Sequence, residues 1–207
     1  MSWNRKEEKI LARLHTPAAI QEFIDTTEYS ADPIYRCPRS VLRDRRAHCM
    51  DGAVFAAAAL DRLGRPPTLL DLAAVRDDDH VIAVFREGRL FGAIAKSNFS
   101  TLRFREPVYR SLRELAMSYF EFYFNVECEK SLRSYSRLLD LASFGSLPWR
   151  TEDSAIEPIA ERLYEIRHYP LLLPGIAERL NKADARSYAA ATVGVNPLGL
   201  YIPSEHE

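Results

Sequence analysis

Excess charge of either sign is the first thing missing. The 207 residues carry 28 Lys and Arg against 29 Asp and Glu, a formal net charge of −1. Without a strong field of one sign, attraction to nucleic acid or an anionic membrane by bulk electrostatics is disfavoured. Long apolar runs are missing too. No stretch approaches the ~18 apolar residues that a membrane-crossing helix needs. The opening stretch MSWNRKEEKILARL is charged and helical in pattern, without the apolar core and cleavage site of a secretory signal. A soluble, cytoplasmic protein is the expectation.

Cysteine is scarce and odd in number: Cys37, Cys49 and Cys128, with no C-x-x-C pair. Neither a disulfide framework nor a zinc knuckle is suggested. The five histidines (His15, His48, His80, His168, His206) form no H-x-x-x-H pair, so metal binding has little support. Neither a metal nor a cofactor is expected. Internal repeats and low-complexity segments are absent as well.

What is present is material for a core. Hydrophobic residues make up 47% of the chain, and the length suits one domain over 1–207. HTPAAIQEFID reads as a helix start, with Thr16 as cap and Pro17 in the first position. SADPIYRCP is a loop, and RSVLRDRR a short basic helix whose charges read as a solvated face. A helical pattern then runs from Cys49 to Leu63, with Gly64 as its stop. Its apolar residues cover most of the circumference, so the helix is expected to be central and buried.

After Gly64 the period changes. TLLDLAAV, HVIAVFRE and RLFGAIAK read as strands, the last two joined by a Glu87-Gly88-Arg89 hairpin link. SLRELAMSYFEFYFN returns to the helical period, with Ser111 and Glu114 as a capping box. RSYSRLLDLASF is a further candidate strand. Ser154 with Glu157 reads as a second capping box, opening a helix through Ile159, Leu163 and Ile166. A last helix is expected between Pro174 and Gly194, and VNPLGLYIPSEHE looks irregular. This order predicts an α+β fold with an antiparallel sheet packed on the central helix.

Chemistry gathers around RRAHCMDGAVFAAAALDRLG, residues 45–64. A cysteine in the first turn of a helix sits in the N-terminal dipole, which favours thiolate, and free N–H groups there can hold an oxyanion. Asp51 opposes thiolate, whereas Arg43, Arg45 and Arg46 would favour it. His80, after Asp77-Asp78-Asp79 at the start of a strand, is the candidate base. His48 is adjacent to Cys49, a placement that seldom brings side chains into line. Asn98, after the next strand, is the candidate to orient His80, with Asp78 or Asp79 as alternatives. Each residue also has a plain structural reading: free cysteine is usually buried, and Asn98 suits a turn. The order helix-Cys, strand-His, strand-Asn is what raises the joint functional reading. Cys37 and Cys128 read as structural.

The two stretches HCMDGAVFAAAALDRLGRPPTLLDL and DDDHVIAVFREGRLFGAIAKSN resemble the transglutaminase-like branch of the papain-like cysteine enzymes, in a bacterial subfamily. The resemblance spans about residues 38–105, leaving a helical part over about 110–207. It implies a papain/transglutaminase-like core and a Cys49, His80, Asn98 triad acting on a peptide or small amide, with peptidase or amidase chemistry favoured over crosslinking. The family's third residue is usually Asp, where this chain has Asn98, and Tyr35 is the candidate side-chain oxyanion donor. The rival expectation is a catalytically inactive module of the same type that binds a peptide or protein. A thiol redox sensor is a weaker third, since no resolving cysteine lies nearby in sequence.

Overall fold

The computed structural model describes residues 3–203. Residues 1–2 and 204–207, His206 among them, lie outside the described residues. The first helix, α1 (Arg5–Leu11), is capped by the Asn4 side chain. The second, α2 (Pro17–Asp25), begins as its sequence predicts: Thr16 Oγ1 accepts from the Ala19 N–H at 3.0 Å, and Pro17 fills the first turn. Two-residue strands β1 (Glu28–Tyr29) and β2 (Arg46–Ala47) pair in parallel. Between them lies α3 (Pro38–Asp44), closed by Arg45 in the left-handed region.

The central helix is α4 (Cys49–Arg62). Strands β3 (Thr68–Ala74), β4 (His80–Glu87), β5 (Leu90–Ile94) and β6 (Arg105–Tyr109) follow. Then come α5 (Leu112–Phe120), β7 (Leu132–Ser136), β8 (Leu139–Asp140), α6 (Glu157–Glu165), β9 (His168–Pro170) and α7 (Ala185–Ala191). The main sheet runs β6-β5-β4-β3-β7-β9, with β8 also on β3, and every pairing is antiparallel. Mixed helix and antiparallel sheet is thus the architecture.

Both faces of this sheet are covered. Leu69, Val81, Ala83, Phe85 and Ile94 pack toward α4 and α2 in one core. Leu70, Leu72, Ile82, Val84 and Ala93 pack toward α5 in another. Burial on both faces explains why the inner strands read as nearly continuous apolar runs. The alanines of α4 let it approach the sheet closely. At Gly52 the approach is closest: a Cβ there would lie 2.3 Å from Lys96 Cβ. Lys96 itself is buried, and its ammonium donates to the Ile24 and Thr27 carbonyls near the C-terminal end of α2.

Some element readings change. Ser154 lies inside a 3-10 turn, Asp153–Ala155, and α6 starts at Glu157 with no side-chain cap. Ser111 Oγ does accept from the Glu114 N–H, but the Glu114 carboxylate reaches back to the N–H of Arg110, not of Ser111. RSYSRLLDLASF divides into β7, β8 and a 3-10 turn over Leu141–Phe144. The helix expected after Pro174 is reduced to a 3-10 turn and the short α7. No helix among the described residues is long and apolar enough to cross a membrane.

Candidate functional site

The N-terminal end of α4 opens into a cleft of about 670 Å³. Cys49, His80 and Asn98 all contribute to its lining, together with Asp71, Asp77, Asp78 and Asp79. Sharing a cleft is not the same as sharing a proton, and the local geometry separates the three.

Cys49 holds the first position of α4. Its thiol donates to the Asp79 carbonyl at 3.7 Å, and the Val81 and Met50 N–H groups face the sulfur. The thiol is nevertheless pushed up to about 12, by burial first and then by the charges of Asp78 and Asp51. The arginines upstream do not offset this. Arg43 pairs with Asp44 and Arg46 with Asp32. Arg45 stacks on Phe23 at 3.8 Å and donates to Thr26.

His80 and Cys49 approach the cleft from different faces of β4. Side chains alternate along β4, so His80 shares the α5 face with Ile82 and Val84, while α4 and its cysteine lie on the face of Val81 and Ala83. The imidazole packs edge-on to Tyr119 and Tyr123, with centroids 6.3 and 6.4 Å away. Its Nε2–H donates to the Leu102 carbonyl at 2.8 Å. Burial, with Arg105 adding to it, lowers the ring to about 4, so it is neutral at ordinary pH. No hydrogen bond joins it to Cys49 or Asn98 among the described residues.

Asn98 is committed elsewhere as well. Its amide donates to the Asn196 and Gly199 carbonyls at 2.9 and 3.0 Å, and its oxygen accepts from the Asn196 N–H at 2.8 Å. The expected Cys49–His80–Asn98 triad is therefore not assembled in this structure. Nor do Asp78 and Asp79 replace Asn98, since neither bonds to His80. Asp79 Oδ1 instead accepts from the Ala74 N–H at 2.7 Å.

His48 has a different task. Nδ1 accepts from the Met50 N–H at 3.2 Å, and the Asp51 carboxylate accepts from the His48 N–H at 3.2 Å, a reciprocal cap on α4. Its Nε2–H donates to the Ile34 carbonyl, and burial lowers the ring to about 4. Tyr35 lines the cleft and meets the His48 ring edge-on at 5.6 Å. Asp51 is wholly buried, accepts from the Arg36 N–H at 2.7 Å, and is pushed up to about 7 by that burial.

Sequence reasoning gave no role to one pair. Asp71 and His168 stand 97 residues apart, yet Oδ2 and Nε2 are 2.9 Å apart. His168 Nδ1 donates to the Ile166 carbonyl at 2.9 Å. With an acceptor facing each ring nitrogen, the Nε2–Oδ2 hydrogen bond is made by a proton carried on either Nε2 or Oδ2. The other Asp71 oxygen, Oδ1, is buried without a hydrogen-bond partner among the described residues, and Asp71 is 2% exposed. The signal was the single acid inside TLLDLAAV, a charge placed where a strand is buried.

Asp71 belongs to an acidic wall. Burial, then repulsion from Asp79, pushes its carboxyl up to about 6. Asp77, which accepts from Ser131 Oγ at 2.5 Å, is also pushed up to about 6, mainly by burial. Asp78 and Asp79 are raised for the same first reason. No Lys or Arg forms an ion pair with Asp71, Asp77, Asp78 or Asp79 among the described residues. Tyr29, Tyr35, Tyr123 and Tyr164 line the same cleft. Among the described residues, no group of three or more His, Cys, Asp or Glu side chains is placed to hold a metal ion. No protein-family model matches the chain, and no curated protein matches it.

Proposed function

We propose that this chain is a peptide-binding module whose cleft receives a cationic side chain, on a papain/transglutaminase-like core in which the cysteine serves as a protonated wall residue. The observation that carries the reading is the acidic wall. Its carboxylates lie in one cleft with raised proton affinity and, among the described residues, no Lys or Arg ion pair, and one buried oxygen, Asp71 Oδ1, has no hydrogen bond there. An ammonium or guanidinium relieves such repulsion, and tyrosine faces add cation–π attraction of about 0.5–2 kcal/mol.

Isothermal titration of the full chain with Ac-Ala-Arg-Ala-NH2 and Ac-Ala-Glu-Ala-NH2 tests this. The arginine peptide binds, more tightly at pH 7 than at pH 5 because the carboxylates ionise, and more weakly in high salt. Asp78→Asn, whose carboxylate has no structural hydrogen bond to lose, weakens it about tenfold. Equal binding of the two peptides, or none, removes the reading.

A second reading is thiol-dependent amide hydrolysis or acyl transfer. It is favoured by the placement of Cys49 at the first position of α4 with the Val81 N–H facing the sulfur. In that reading Cys49 attacks a carbonyl, and His80 must leave Leu102 to reach it. A thiolate populated well below pH 8.5 and lost in His80→Ala would support it over the binding module.

A further inference from the structure

Residues 195–203 follow α7 as a strip with one 3-10 turn, Pro197–Gly199. Leu198, Leu200, Tyr201 and Ile202 line the same cleft as Cys49. No strand pairing holds them there. Asn98 does, through a fork of three bonds to the backbone of Asn196 and Gly199. Asn196 Nδ2 adds a bond to the Tyr29 carbonyl at 3.3 Å, and its Oδ1 accepts from the Leu198 N–H to close the turn. Gly199 lies flat against Tyr29: a Cβ there would come 2.6 Å from the ring carbon Cε1. Upstream, Ser100 fixes the end of α7 by bonds to the Ala190 and Ala191 carbonyls.

These contacts are those of a site and its ligand. They read backbone atoms at a defined spacing, and a side chain at position 199 would press on the Tyr29 ring. The side chains of the segment are unevenly seated: Leu198 is 86% and Ile202 70% exposed, while Leu200 and Tyr201 are half-buried. The bonds to Asn98, and not burial of every apolar side chain, fix the position of the turn.

We infer that Asn98 and Tyr29 form a binding site for an extended peptide carrying an Asn-Pro-x-Gly turn followed by apolar residues, and that 195–203 is its built-in ligand. A partner protein presenting such a segment competes with the copy in the chain. The in-chain copy acts at a high effective concentration, so it masks the site until it is displaced. This goes beyond the cationic cleft and does not depend on it.

The probe is a fluorescent peptide of sequence VNPLGLYIP, with a Gly→Leu peptide as control. Full-length Gly199→Leu cannot seat its own segment against Tyr29, so it binds the probe at least about tenfold more tightly than the wild type. The control peptide binds neither. In the wild type, hydrogen exchange at the Asn196 amide is slow, and Asn98→Ala speeds it by about tenfold or more. A folded Gly199→Leu chain that fails to bind the probe overturns the inference. If that variant does not fold, saturating the wild type with probe must speed exchange at its own Asn196 amide, and unchanged exchange overturns it equally.

Discussion

Cys49 feels two opposing fields. The end of α4 favours thiolate by about 0.3–1 kcal/mol, less than one pKa unit. Burial of a thiolate can cost several units, and Asp78 and Asp51 add to it, so the balance at this half-buried sulfur leans toward the thiol. The same reasoning applies to Asp71. Its carboxyl, pushed up to about 6, stands against ~3.9 in an unfolded chain. The folded state then binds more protons than the unfolded one between these values, so this group's contribution to stability falls as pH rises through that window. Asp71→Asn removes the effect. Measured by urea unfolding, the variant gains on the wild type by on the order of 2 kcal/mol between pH 4 and pH 7. A flat difference would mean that Asp71 titrates normally.

Among the elements, α4 sets the geometry of the cleft by how closely it lies on β4 and on Lys96, just past the end of β5. Gly52 controls that distance. Alanine there gains about 1 kcal/mol of helix propensity, but its methyl meets Lys96 Cβ rather than the mobile end of that side chain. Overpacking of this kind costs about 1–3 kcal/mol, so Gly52→Ala lowers the unfolding midpoint, and an unchanged or raised midpoint would show that the helix shifts freely. Much of this scaffold was legible. The Thr16-Pro17 start of α2, the length of α4 and the Gly88 turn each follow from local chemistry. The face on which His80 lies was not. A strand apolar on both sides has no alternation to say which side α4 covers, and a shift of one residue moves the imidazole across the sheet. Ser154 likewise matched a capping pattern whose partner geometry only the fold decides. The Asp71–His168 pair depends on β7 and β9 joining β3, and no local pattern announces that.

For the whole molecule, the cleft is the point where distant parts of the chain meet. The start of α4 supplies Cys49, β3 and the β3–β4 turn supply the acids, and residues within 195–203 line it under the hold of Asn98. That last contact joins residues 98 apart in sequence, so an irregular stretch gave no hint of its place. The binding reading requires a thiol that is a wall and not a nucleophile. The direct measurement is site-resolved alkylation of Cys49 by mass spectrometry across pH 5–11, in the wild type and in His80→Ala. Access changes the size of the rate, whereas ionisation sets its midpoint. The expected midpoint lies well above pH 9 and is the same in both proteins. A midpoint below pH 8 that rises in His80→Ala would contradict it and make Cys49 and His80 a working pair.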